Sequence, residues 1–365
     1  MTEAATTPDP AVIDAADQLT PGWIGAVLGI GGAGAAVRAV TTEPVGTGQM
    51  ATTVRARVEL DDGTDRTVVV KFGRPEVGGP MAAMAYAKEV SFYAELAGRV
   101  AVRTPGCLYA AMADGGARFA LVLEDMADAR PGDQIAGCSV AHAEAAIANL
   151  AGLHGPTWDD ESLTALPWLS GDGSPSVDLL APVMAMAADA FAERFSAELT
   201  PTEAAVFEGC RELLVPWLMA PRPPQAVVHG DYRLDNLLFP ATDPAGVAAV
   251  DWQTVSFGPP LRDVAFLLST GLTVEDRRRH ERDLVATYHG GLAAHGVTGY
   301  GADRAWDDYR LGMMHAPLII WLGRLTATIT ERGDEMFKVM WQRSSAAIDD
   351  LGSLDLIREE VARAG

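Results

Sequence analysis

Two apolar rhythms divide this chain and limit the folds open to it. Between residues 37 and 72 the apolar positions keep to a strand pattern. Residues 37–45 and 52–60 are joined by Gly46-Thr47-Gly48-Gln49-Met50-Ala51, and Asp61-Asp62-Gly63 makes the next turn. Residues 67–72 form a third strand carrying Lys71 near its end. A helix over 81–100 follows, with Tyr86, Val90, Tyr93 and Leu96 on one face, then two further strands near 107–111 and 119–123. From about residue 140 the rhythm is helical: 141–154, 200–218, 273–295, 306–329, 334–351 and 354–364. The expectation is an α+β chain of two lobes. A small five-stranded antiparallel sheet with one helix covers 20–125, and a larger, mainly helical lobe covers 126–365. Residues 1–19, rich in Ala, Thr, Pro and Asp, form a flexible tail. Residues 158–176 have no clear period and read as a long loop.

Two short apolar strands interrupt the helical part, and both run into polar residues. The first is Val227-Val228-His229-Gly230-Asp231-Tyr232-Arg233-Leu234-Asp235-Asn236, a His-x-Asp-x-x-x-x-Asn pattern. The second is Ala249-Val250-Asp251-Trp252-Gln253. A carboxylate that accepts a proton, with an Asn and an Asp that offer hard oxygens to Mg²⁺, is the group set phosphoryl transfer requires. Asp231 is the candidate base, and Asn236 and Asp251 are the candidate metal ligands. The Arg233 guanidinium suits the transferred phosphate.

Upstream, the Gly46/Gly48/Gln49 hairpin lets backbone N–H groups approach phosphates, and Lys71 can neutralise them. Glu89, in the following helix, would fix the Lys71 head group by an ion pair. Gly29-Ile30-Gly31-Gly32-Ala33-Gly34 matches G-x-G-x-x-G, but a Pro-initiated helix precedes it and a strand follows. That is the reverse of the dinucleotide-binding context, so it is read as a connection.

Net charge is −21 with a pI near 4.6, which argues against nucleic acid and anionic membranes as partners. Cys107, Cys138 and Cys210 are odd in number and lack metal spacing, as expected of reduced thiols in a cytoplasmic protein. No apolar run reaches membrane-spanning length, and the start lacks a leader pattern.

The sequence resembles the aminoglycoside phosphotransferase and choline-kinase-like group of small-molecule kinases. The resemblance rests on HGDYRLDN at 229–236, VDWQ at 250–253 and Gly258-Pro259-Pro260-Leu261-Arg262-Asp263-Val264-Ala265. Glu89-Val90-Ser91-Phe92-Tyr93, Leu123-Glu124-Asp125-Met126 and Leu153-His154 extend it. It implies a bilobal protein-kinase-like fold and ATP or GTP with Mg²⁺ as cofactors. Lys71 would touch the α/β-phosphates, and the backbone of Glu124 and Met126 would hold the base edge. Asp231 would be the base, Asn236 and Asp251 the metal ligands, and Asp263 and His229 would support the loop. Two departures exclude a protein substrate. Gly230 replaces the Arg that reads activation-loop phosphorylation, and Asp251 reaches Gly258-Pro259-Pro260 too soon for an activation loop. Ala51 stands in place of the third glycine of the nucleotide loop.

The expected activity is transfer of a γ-phosphate to the hydroxyl of a small molecule. A catalytically silent nucleotide-binding regulator is the alternative, although no catalytic position is lost. Trp252, Gln253, Tyr309, His315 and Trp321 are candidates for lining the acceptor site, or else core. The residues do not distinguish an aminoglycoside from a more apolar alcohol.

Overall fold

The structure is a computed structural model that describes residues 10–30, 36–46, 50–74, 76, 78–170, 177–220 and 223–364. The described residues form two compact units, one ending at Ala127 but omitting 99–104, the other made of 99–104 and everything from Asp128 onward.

The first unit is built on a five-stranded antiparallel sheet in the order β1-β2-β3-β5-β4. Its strands are β1 (Val37–Pro44), β2 (Ala51–Leu60), β3 (Asp65–Gly73), β4 (Cys107–Ala113) and β5 (Arg118–Glu124). Alternation decides what each face does. Val54, Ala56 and Val58, with Val68, Val70, Phe72, Ala120 and Val122, point to one side and are buried there with Ile24 of α1 (Pro21–Val27). Lys71 falls between Val70 and Phe72, so the pleat turns it to the other face, toward α2 (Pro80–Ser91). The helix expected over 81–100 ends sooner: α2 gives way at Phe92–Leu96 to a wider turn, closed by the Ala97 N–H on the Phe92 carbonyl at 2.8 Å. Of the predicted flexible tail, residues 10–19 are described. Ile13 and Leu19 are 4% and 5% exposed in this core, so apolar burial anchors a stretch whose average composition reads as frayed.

The second unit is mainly helical. Its elements are β6 (Ala129–Pro131), α3 (Val140–His154), α4 (Pro167–Ser170), α5 (Val177–Phe195) and α6 (Pro201–Met219). Then come β7 (Ala226–Val228), β8 (Leu237–Pro240), β9 (Ala248–Ala249), β10 (Ser256–Gly258) and α7 (Leu261–Gly271). Five helices close the chain: α8 (Val274–Ala294), α9 (Ala302–Gly312), α10 (His315–Thr326), α11 (Glu331–Asp350) and α12 (Ser353–Ala364). Residues 99–104 join this unit through the Ala101 N–H on the Gly152 carbonyl at 2.8 Å. Thr200 and Glu203 cap α6 reciprocally, as their spacing predicts.

An aromatic cluster gives this unit its core. Phe191 of α5, Phe207 of α6, Trp321 of α10 and Trp341 of α11 lie with ring centroids 5.0–6.5 Å apart. The single helix expected over 306–329 is two, α9 and α10, broken at Met313-Met314. Gly312 lies against α7, where a Cβ would meet the Leu261 carbonyl oxygen at 2.8 Å, and Pro317 has no N–H to continue the earlier helix.

Candidate active site

In the second unit the His229–Asn236 loop leaves β7, and β10 returns beside β7 with Ser256 opposite Val228. Asp251 follows β9, which pairs with β8 just beyond Asn236. The two loops are therefore stitched together at both ends.

Every residue of α7 except Arg262 is buried, and Asp263 projects from it at 0% exposure. Its carboxylate accepts the N–H of His229 at 2.6 Å and of Gly230 at 3.0 Å. His154 Nε2 lies 3.3 Å from the same carboxylate, and His154 Nδ1 is 2.7 Å from the Tyr288 hydroxyl. Burial pushes the Asp263 carboxyl up, but the hydrogen bond and charge of His154 and the neighbouring imidazoles outweigh it and hold the group below the ordinary value. Anchoring two N–H groups, this carboxylate fixes the loop entry.

The His229 ring crosses between the loops. Its Nε2 is 3.1 Å from the Val250 carbonyl oxygen, and its Nδ1 accepts the Asp231 N–H at 3.3 Å. A carbonyl can only accept, so the ring proton sits on Nε2. Thr254 donates its hydroxyl to the His229 carbonyl at 2.8 Å. Gly230 has φ +82°, and a Cβ there would meet the Thr254 carbonyl oxygen at 2.7 Å, so glycine is required on both counts.

Asp231 accepts on one oxygen only. Its Oδ2 receives Asn236 Nδ2 at 2.9 Å and Arg233 Nε at 3.2 Å, while its buried Oδ1 has no hydrogen-bond partner. Burial raises the carboxyl above its ordinary pKa, partly offset by Arg233 and His229 and reinforced by Asp251. Asn236 also gives Nδ2 to the Asp231 carbonyl at 2.9 Å, so its donor is spent on the loop and its amide oxygen is turned away from it. Asp251 has φ +69° and ψ +71°, a left-handed conformation unusual for a side-chain-bearing residue. The Asn236 amide oxygen and the Asp251 carboxylate are hard donors of the kind Mg²⁺ takes. Arg233 points at carboxylates: Nη1 reaches Asp235 at 2.6 Å and Met336 Sδ at 3.3 Å.

Besides Thr254 and Tyr288, two residues hold this framework in ways not recognised from sequence. Gln134, 0% exposed, accepts the Leu234 N–H at 2.8 Å and gives its own N–H to Asp235 at 3.1 Å. It also gives Nε2 to the Thr270 carbonyl at 2.9 Å. His315 was a candidate for lining the acceptor site; instead its Nε2 sits 2.8 Å from the Gly230 carbonyl oxygen and the residue is 6% exposed. A His inside the apolar run 313–321 was the available signal. Trp252, Tyr309 and Trp321 are core, at 0%, 0% and 1% exposure, and only Gln253 of the five is half-buried.

In the first unit, Lys71 Nζ lies 2.8 and 2.7 Å from the two carboxylate oxygens of Glu89, which is 1% exposed. The pair is an ion pair with its acidic member buried, which fixes the Lys71 head group. The Tyr86 hydroxyl, one turn earlier in α2, donates to the Met50 carbonyl at the end of the glycine hairpin. Gly46 has φ +72°; Gly48 and Gln49 lie outside the described residues. At the end of β5 the Glu124 N–H donates to the Gly106 carbonyl at 2.7 Å, and the Glu124 carboxylate accepts the Gly106 N–H at 3.0 Å. Met126 follows, half-buried. Asp125 is held by Arg55 at 2.9 Å.

Comparison with known proteins identifies the family. A profile of the phosphotransferase enzyme family (APH) matches residues 47–310, and the chain belongs to that family. Among solved structures, a Ralstonia eutropha JMP134 protein provisionally described as an aminoglycoside phosphotransferase superposes with a TM-score of 0.52 at 17% identity, covering 88% of this chain and 95% of its own. The Plasmodium vivax ethanolamine kinase superposes with a TM-score of 0.52 at 11% identity, covering 83% of this chain and 82% of its own. At such identities the likeness is one of fold: a kinase-like α+β architecture. Acyl-CoA dehydrogenase family member 11 of Gallus gallus is 39% identical over 57 residues, which are 14% of this chain and only 7% of that protein. Among the described residues no helix is long and apolar enough to cross a membrane.

Proposed function

We propose that this family member transfers the γ-phosphate of ATP or GTP to a hydroxyl of a small molecule. The observation that carries the proposal is the state of Asp231. Its Oδ2 is fixed by Asn236 and Arg233, its Oδ1 is unspent, and its pKa is raised. A carboxylate so oriented accepts the proton of an alcohol as that oxygen attacks phosphorus. Asn236 and Asp251 would hold Mg²⁺, which when bound supplies charge neutralisation for the nucleotide phosphates. Lys71, steadied by Glu89, binds the α/β-phosphates, and Gly46, Gly48 and Gln49 are the proposed phosphate-contacting residues ahead of it in sequence. The backbone of Glu124 and Met126 takes the base edge. Arg233 holds the base carboxylate in place, and its guanidinium would suit the transferred phosphoryl oxygens by charge.

The acceptor class stays at a small hydroxyl compound, aminoglycoside-like, macrolide-like or another alcohol. The test is nucleotide turnover with a panel of such alcohols, comparing the wild type with Asp231→Ala. Turnover should fall by at least about 1,000-fold in the variant, while MgATP binding by calorimetry persists. Binding without any Asp231-dependent turnover would instead describe a nucleotide-binding regulator.

A further inference from the structure

Gly230 immediately precedes the proposed base, and a glycine at φ +82° has no side chain to restrict it. Rotation of the peptide plane between Gly230 and Asp231 would re-aim Asp231. The preceding plane is locked, because the Gly230 N–H is held by Asp263. The following plane has two handles. Its N–H donates to His229 Nδ1 at 3.3 Å, a long bond, and its carbonyl receives His315 Nε2 at 2.8 Å, the shorter and better one.

His315 is itself braced. It opens α10, whose body is held by Trp321 in the aromatic core, and its ring meets Phe266 of α7 edge-on with centroids 5.5 Å apart. Phe266 lies three residues after Asp263, so one buried helix steadies both peptide planes of Gly230. The other ring nitrogen, Nδ1, is buried without a partner. A residue chosen for packing alone would not keep such a cost.

We propose that His315 is a positioning residue for the catalytic loop: through its Nε2–H it fixes the Gly230–Asp231 peptide and so aims the Asp231 carboxylate. This rests on the reading of Asp231 as base, and the experiment separates the two. Full-length wild type, His315→Gln and His315→Phe are compared. Gln can supply an N–H near the position of Nε2, whereas Phe keeps the ring but donates nothing. With MgATP and water as acceptor, His315→Phe should lose about 10- to 30-fold in kcat with unchanged nucleotide affinity, and His315→Gln should recover most of it. Hydrogen–deuterium exchange should quicken in the 229–236 segment of His315→Phe while α7 and α11 stay protected.

Nitrogen NMR of the histidines in the wild type needs no variant to fold. It should find His315 as the Nε2–H tautomer with a slowly exchanging ring proton. An Nδ1–H tautomer, wild-type kcat in His315→Phe, or equal losses in both variants with lowered thermal stability would overturn the proposal. If the wild type shows no Asp231-dependent turnover, the phosphotransfer reading fails, and the tautomer and exchange results still decide the role of His315.

Discussion

Asp251 and Gly230 both occupy left-handed backbone, but only Gly230 does so without a side chain. Gly230→Ala would add a Cβ 2.7 Å from the Thr254 carbonyl oxygen, and backbone cannot yield as a flexible side chain does. It should cost about 2 kcal/mol or more in stability, read from urea midpoints, and abolish Asp231-dependent turnover in whatever protein still folds. His315 carries a pH consequence. Burial lowers its pKa from 6.5 to about 4, with Arg262 lowering it further and Asp263 of the same helix opposing. Between these values the unfolded chain binds the extra proton, so this contribution to stability is complete above about pH 6.5 and drains away toward pH 4. The loss amounts to at most roughly 3 kcal/mol. The difference in melting temperature between wild type and His315→Gln, followed from pH 7 to 4.5, should narrow as the pH falls; a constant difference would show that His315 is not buried neutral.

At the scale of elements, the catalytic loop is clamped from behind by the segment leading into α3. Gln134 ties Leu234 and Asp235 to the end of α7, and Arg343 of α11 gives hydrogen bonds to the carbonyls of Gln134, Ile135 and Thr270 at 2.8–3.0 Å. Gln134→Leu leaves a buried N–H and a weakened carbonyl pairing, and should cost about 1–3 kcal/mol in chemical denaturation. None of this was legible beforehand, because the partners of Gln134 lie 100, 101 and 136 positions away and a glutamine in a loop carries no periodic signal. The sheet was legible for the opposite reason: period-two burial and glycine turns are local, and Lys71 follows from Val70 and Phe72 by alternation. The site motif was legible because its residues are adjacent in sequence. The break between α9 and α10 was only half legible: Pro317 stands in the sequence, but the apolar rhythm runs through Met313-Met314 and the close approach of Gly312 to α7 is a tertiary contact. His315 was visible as an oddity in an apolar run, but its partner was not.

Across the whole molecule, two units have separate cores, the sheet face closed by Ile24 and the aromatic cluster around Phe191. The nucleotide roles proposed above fall on residues of both, Lys71 in the first and Asp251 in the second. Saturating MgATP should raise stability by about 2.7 kcal/mol at a hundredfold excess over Kd, read as a shift in melting temperature, and Lys71→Ala should lose most of that shift. A full shift in the variant would remove Lys71 from the proposed roles. The left-handed backbone at Asp251 adds a different kind of consequence. A glycine there would relieve up to about 1 kcal/mol of backbone strain, but it would also remove every contact the Asp251 carboxylate makes. Melting temperatures of Asp251→Gly and Asp251→Ala read the two separately: the glycine variant should melt higher than the alanine one, because alanine keeps the strain and loses the same contacts. A left-handed turn at a residue with a side chain is thus held from outside the backbone, and what the carboxylate touches decides whether the conformation persists.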